Sequence, residues 1–202
     1  MTSGEDRPRS LPEAAATAFE ANDAMVQADQ SSDAAAGIEA AAAVEGPAYA
    51  VHSTGFDAVV TAAPSEGVGQ LYEVVVRIPS LDGATADHVG PAVESGWFET
   101  MERRLREAPK ATRATVDLTR FRLRTLEDTE DLLVTYAFEY GDADRAAAIA
   151  KTFVEYVEGT YVESTIPGYE YEGVVGDLLA SATGTGGAGG DGPGGAGGST
   201  PL

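Results

Sequence analysis

Apolar and polar positions alternate with two periods along this chain, and the changes of period divide it into elements. From Leu71 to Ile78, the residues Tyr72, Val74, Val76 and Ile78 share one phase, with Leu71, Glu73, Val75 and Arg77 between them. That period of two marks a half-buried strand. Its expected hairpin partner runs from Tyr49 to Ala62, joined to it by the turn residues Pro64 to Gly69. The phase of the partner changes midway, because Tyr49 and Val51 are odd whereas Phe56, Ala58 and Val60 are even. Gly55 stands at the change, so a β-bulge is expected there. A second hairpin follows the same logic, with Leu132, Val134, Tyr136, Phe138 and Tyr140 in phase. In the strand before it, Val116 and Leu118 occupy one phase, Phe121 and Leu123 the other. Pairing Leu123 with Leu132 and Leu118 with Tyr136 needs two registers one residue apart, which predicts a bulge near Thr119-Arg120.

Helical spacing fills the intervals. A first helix is expected from Pro12 to about Ala28, with Phe19 and Met25 or Val26 as its large apolar contacts. A second opens at Gly90-Pro91, carries the stripe Val93, Trp97, Met101, Leu105 and Ala108 widened by Phe98, and stops at Pro109. A third starts at the N-cap Asp142, buries Ala146, Ile149, Phe153, Tyr156 and Val157, and is expected to end in a left-handed Gly159. A Pro167-Gly168 turn and a short apolar segment around Val174, Val175, Leu178 and Leu179 follow. The order helix, hairpin, helix, hairpin, helix predicts one α+β domain over residues 11–182. Its two hairpins are expected to form a four-stranded antiparallel sheet with helices on one face. Residues 1–10 read as a flexible N-terminus. Residues 29–46 read as an Ala-rich acidic insert, helical or mobile, that only Ile38 and Val44 can anchor. Residues 183–202 hold ten of the 24 glycines and almost no large side chains, so a disordered tail is expected.

Charge changes the picture more than composition does. The 33 acidic residues outnumber 13 basic ones, for a net charge of −20. Eleven of the basic residues are arginines, and lysine occurs only at Lys110 and Lys151. Such an acidic, lysine-poor chain suits a cytoplasm holding molar potassium chloride, where the Debye length falls to roughly 3 Å. The alternative is an acidic protein of an ordinary cell, whose charge keeps it soluble. Cysteine is absent and only His52 and His88 occur, so sulfur-based zinc sites and thiolate nucleophiles are excluded. No apolar run reaches the roughly 18 residues of a membrane span, and the charged, Pro-punctuated start does not read as a secretion signal. A cytoplasmic protein with no membrane contact and no cofactor is expected.

Several segments resemble a known family. Tyr156 to Glu163, Ile166 to Tyr171, Phe56 to Val60 and Gly96 to Thr100 are similar to a small haloarchaeal protein family catalogued only as a domain of unknown function. The resemblance spans about Leu11 to Ala182 and implies a halophilic, single-domain protein. It implies no activity and no catalytic residues.

Candidate chemistry is concentrated in one basic tract. Between Arg103 and Arg124 lie eight of the 13 positive charges, opposed there only by Glu107 and Asp117. Arg120, Arg122 and Arg124 alternate and so share a sheet face; with Arg113 they are the candidate anion- or partner-binding residues. Ordinary cross-strand pairing with Glu139 and the hairpin acids Glu127, Asp128, Glu130 and Asp131 competes with that reading. Tyr161, Tyr169 and Tyr171 form a second candidate, a recognition surface, against a C-terminal strap that closes over the sheet. Nucleic acid is excluded as a partner by magnitude. Neutralising about five phosphates gives a salt slope of roughly −4.5, which costs around five decades between about 0.15 M and 2 M salt. No nucleophile elbow, Walker loop or zinc-protease motif is present. The Gly184 to Gly189 match to a dinucleotide fingerprint follows a helix, not a strand, and lacks the later acidic residue. The resulting expectation is a non-catalytic protein-binding or adaptor domain, chaperone-like in outline, with a protein partner or a homodimer. The alternative is an enzyme for a small anionic substrate beside the Arg120–Arg124 strand face.

Overall fold

The computed structural model describes residues 11–28, 38, 47–67, 69–129 and 131–186. The N-terminal ten residues, Val44 with most of the Ala-rich stretch, and residues 187–202 of the expected tail lie outside them. The elements run α1 (Glu13–Glu20), β1 (Met25–Gln27), β2 (Tyr49–Val51), β3 (Ala58–Pro64) and β4 (Gln70–Ile78). Then come α2 (Pro91–Leu105), β5 (Leu118–Thr125), β6 (Leu132–Tyr140), α3 (Ala143–Glu163) and α4 (Gly173–Gly186). All strand pairs are antiparallel, in the order β1-β2-β3-β4-β6-β5.

The sheet therefore has six strands, not the expected four, and two local events explain the difference. The first helix ends at Glu20 instead of reaching Ala28. Asn22 Oδ1 accepts the Ala24 N–H at 3.1 Å and the Asn22 carbonyl accepts the Met25 N–H at 2.8 Å, an Asx turn that redirects the chain. Met25 then lies opposite Val51 and Gln27 opposite Tyr49 as an edge strand. The second event is at Gly55, where the change of phase is a chain reversal and not a bulge. Tyr49 pairs with Val60 and Ala50 with Val59, so each odd residue meets an even one across the ladder. Phe56 is buried within that reversal, and the Gly55 N–H donates to Glu158 Oε2 at 2.6 Å.

The bulge expected near Thr119-Arg120 is present, since Leu118 faces Phe138 but Arg120 faces Ala137. The register of this hairpin differs by two residues from the expected one: Leu123 pairs with Val134 and Thr125 with Leu132. A slip of two keeps every side chain on its face, so alternation alone does not distinguish the two registers. The turn decides, closed by the Leu126 N–H on the Asp131 carbonyl at 2.7 Å.

α1 to α4 pack against one face of the sheet. Rings link α1, the sheet and α3: Phe19 meets Tyr49 and Tyr72 at 5.2 and 6.1 Å, and Tyr72 stacks on Phe138 at 5.5 Å. Phe153 lies against both Phe138 and Tyr136. Trp97, Met101 and Leu105 of α2 join this core, whereas Val93 of the expected stripe is exposed. α3 is capped by Asp142, whose carboxylate accepts the Arg145 N–H at 3.0 Å. It continues past Gly159 to Glu163, because Tyr161 is fully buried between Phe56 and Trp97 and holds the last turn. The turn at Pro167-Gly168 does need glycine, with φ of 101°. Residues 165–172 then cross to the loop after β4, where the Ala86 N–H donates to Glu170 and the Glu172 N–H to Ala84, each at 2.9 Å.

The face away from the helices is partly covered too. Val59, Val75 and Leu133 are buried there beneath Ile38 and Ala48. Ile38, one of the two expected anchors, is buried in this patch, and Val44, the other, lies outside the described residues.

Candidate functional site

Register places the arginines. Phe121 and Leu123 of β5 turn into the helix-side core, so Arg120, Arg122 and Arg124 project from the opposite face, around the rim of the Ile38 patch. Three rows cross this face. Thr61, Glu73, Ala137 and Arg120 form one; Val59, Val75, Thr135 and Arg122 the next; Arg77, Leu133 and Arg124 the third. Ala137 is small enough for Arg120 to reach across it and pair with Glu73. Arg77 pairs with Asp131 at 2.5 Å, its Nε donating to the same oxygen at 2.7 Å. Arg122 is exposed and makes no ion pair with a described residue. β5 is the last strand of the sheet, and no described strand pairs with its outer side.

Sequence reasoning placed the three strand arginines on one face but missed Glu73 and Arg77 as their companions. The signal was the small Ala137 in the intervening strand, readable only once the register is known. Much of the basic tract is engaged elsewhere. Arg104 pairs with Glu163 and donates to Ser164 Oγ at 2.7 Å, while the Trp97 Nε1–H donates to the Ser164 carbonyl at 3.1 Å. Arg106 pairs with Glu102 at 2.6 Å and lies 4.8 Å over the Phe121 ring. Lys110 pairs with Glu107.

Arg113 is not brought to the arginine row. It lines a separate groove of about 800 Å³ on the helix side, with Tyr140, Arg145, Ile149 and Thr152. Arg145, absent from the sequence reading, leans toward Asp142 at 3.6 Å.

The tyrosine candidates divide as well. Tyr161 is fully buried and its hydroxyl donates to the Ser80 carbonyl at 3.3 Å, so it belongs to the core and not to a recognition surface. Burial pushes its phenol well up from 10. Tyr169 and Tyr171 are half-buried against the same core. The Tyr171 hydroxyl accepts the Ile166 N–H at 2.6 Å, and burial raises its phenol despite that bond, which pulls the other way. All three tyrosines serve a strap that ties α3 to the loop after β4.

One cleft of about 630 Å³ holds a histidine–carboxylate pair. His88 Nδ1 lies 2.9 Å from Asp82, near Glu94, Phe98, Glu99 and Glu102. Its carboxylates hold backbone: Glu94 accepts the Leu81 and Asp82 N–H groups at 3.1 Å each, and Asp82 accepts that of Val89 at 2.5 Å. Among the described residues no arginine lines the cleft, and its carboxylates repel an anionic substrate. Among the described residues no cluster of three His, Asp or Glu side chains is placed to hold a metal ion. Among them, too, no helix is long and apolar enough to cross a membrane.

Among the described residues, the architecture is that of an α+β protein in which four helices pack on a six-stranded antiparallel sheet. The chain belongs to a family of unknown function (DUF5813), whose model matches residues 36–181. That match begins just before Ile38, so it takes in the residue that covers the second face of the sheet and leaves out α1 and β1. Neither the curated proteins nor the solved structures give a match to this chain.

Proposed function

We propose that this chain is a non-catalytic binding domain that engages another protein through the sheet face and edge carrying Arg120, Arg122 and Arg124, in a salt-rich cytoplasm. The observation that carries the reading is Arg122, exposed on an edge strand whose outer side no described strand pairs, and in no ion pair with a described residue. Val59, Val75 and Leu133, inboard of the arginines, are already buried beneath Ile38 and Ala48, so what this face offers a partner is the arginine row at its rim. Such a row suits a protein partner that brings carboxylates to contact range, where pairing survives when salt screens longer distances.

An enzyme for a small anionic substrate fits less well. The paired histidine and carboxylate lie in an acidic cleft, while the arginines line neither that cleft nor the Arg113 groove. Affinity capture on the immobilised chain in about 2 M potassium chloride tests the reading, at a salt level where only contact-range charges act. A partner retained by the native chain and lost with Arg122→Glu is expected. Identical captured proteins on both chains overturn the assignment of this face.

A further inference from the structure

We propose that the outer side of β5 receives an extended acidic segment of another protein as a seventh strand. This rests on the binding reading above and narrows it, from a face to a mode of recognition and a partner chemistry.

An edge strand presents a row of unpaired N–H and C=O groups, and strand addition uses them for affinity while alternate side chains give specificity. β5 offers six residues in regular register for this, Arg120 to Thr125, whereas β1 at the other edge has three. The two sides of β5 differ in chemistry. Arg120, Arg122 and Arg124 lie on one, and the half-buried Leu118 and Phe121 on the other. Beyond the bulge, a strand laid alongside Arg120 to Thr125 sets every second residue next to the arginines and the intervening ones on the Phe121 side. The complementary segment therefore alternates acidic with apolar residues, with a carboxylate set beside Arg122, which holds no ion pair with a described residue, in the geometry that favours paired hydrogen bonds.

The same charges turn away a second copy of this chain. Antiparallel self-pairing centred on Arg122 sets Arg122 against Arg122 and Arg120 against Arg124, and like charges directly opposite destabilise a strand pair. The arginines thus guard the edge against indiscriminate pairing and select an acidic occupant.

The test uses the full chain and three synthetic peptides of about eight residues, a length that matches an ordinary strand. One alternates Glu and Val, one alternates Lys and Val, and one is the Glu/Val peptide N-methylated at alternate backbone nitrogens. Binding by fluorescence anisotropy and hydrogen exchange at β5 amides are the readouts. The Glu/Val peptide is expected to bind and slow exchange along β5. The Lys/Val and N-methylated peptides, and Arg122→Glu in the chain, are each expected to weaken binding about tenfold or more, the scale of one charged contact or a few hydrogen bonds. Absence of Glu/Val binding overturns strand addition, as does binding that leaves β5 exchange unchanged. So does slowed β5 exchange from self-association without peptide. If the peptide fails while a captured partner still depends on Arg122, strand addition is wrong and the broader binding reading stands.

Discussion

Gly159 and Gly176 both lie inside helices, yet the same substitution has opposite consequences at the two. A Cβ at Gly159 meets nothing within 4 Å, and the residue is exposed in the middle of the last turns of α3. Gly159→Ala removes backbone freedom from the unfolded chain and is expected to stabilise by about 0.5–1 kcal/mol. In a domain of this size that raises Tm by about 1–4 °C, read by thermal unfolding. At Gly176 a Cβ comes within 2.7 Å of the Tyr171 carbonyl, so α4 has to move off the strap. Gly176→Ala is expected to cost about 1–3 kcal/mol in the same measurement.

Buried phenols supply a pH dependence at the same scale. Burial holds Tyr136 well above 10 and pushes Tyr72 up to about 12, and the Tyr136 hydroxyl donates to the Leu105 carbonyl at 3.0 Å. A phenol raised in the folded state binds its proton more tightly than in the unfolded chain. Its contribution is therefore complete below pH 10 and is lost as pH rises through the folded value. Stability should be flat through neutral pH, fall above about 10, and collapse with a cooperative rise in tyrosinate absorbance. Independent titration of all eight tyrosines in a chain that stays folded contradicts the packing described for Tyr136 and Tyr161.

Elements show where local pattern yields to pairing. The segment around Met25 has residues that a helix accepts, but an Asx turn and the free edge of β2 make it a strand. Ile38 does comparable work from the other side. Its side chain is one of the largest fully buried ones, resting on Val59, Val75 and Leu133. Ile38→Ala is expected to cost about 2–5 kcal/mol in urea unfolding, through lost transfer energy and the cavity left behind. A cost under 1 kcal/mol would mean that the second face is not held by this residue. The hairpin of β5 and β6 shows a further limit, since its alternation specified faces but left the register open by two residues. For the same reason the arginine face was legible from spacing, whereas the reach of Arg120 across Ala137 to Glu73 was not.

At the scale of the molecule, the net charge of −20 sets the response to salt. In dilute buffer that charge repels itself and opposes compaction, and at molar salt the repulsion is screened to contact range. The midpoint of urea unfolding is expected to rise steadily between about 0.1 M and 2 M potassium chloride, as screening shortens. A chain that is folded and monodisperse in salt-free buffer, and gains nothing from added salt, contradicts this expectation.

Much of this architecture was present in the order of residues. Periods of two and of 3.6 mark the main strands and helices, because a side chain on a strand or a helix faces the core at fixed intervals whatever its partners are. The bulge beside Arg120, the N-cap at Asp142 and the anchor at Ile38 were visible for the same local reason. Tertiary structure alone decided the strand count, the hairpin register, the burial of Tyr161 and the separation of Arg113 from the arginine row. Each of those depends on which distant segments meet, and the meeting is governed by turn closure and core volume, which no single segment contains.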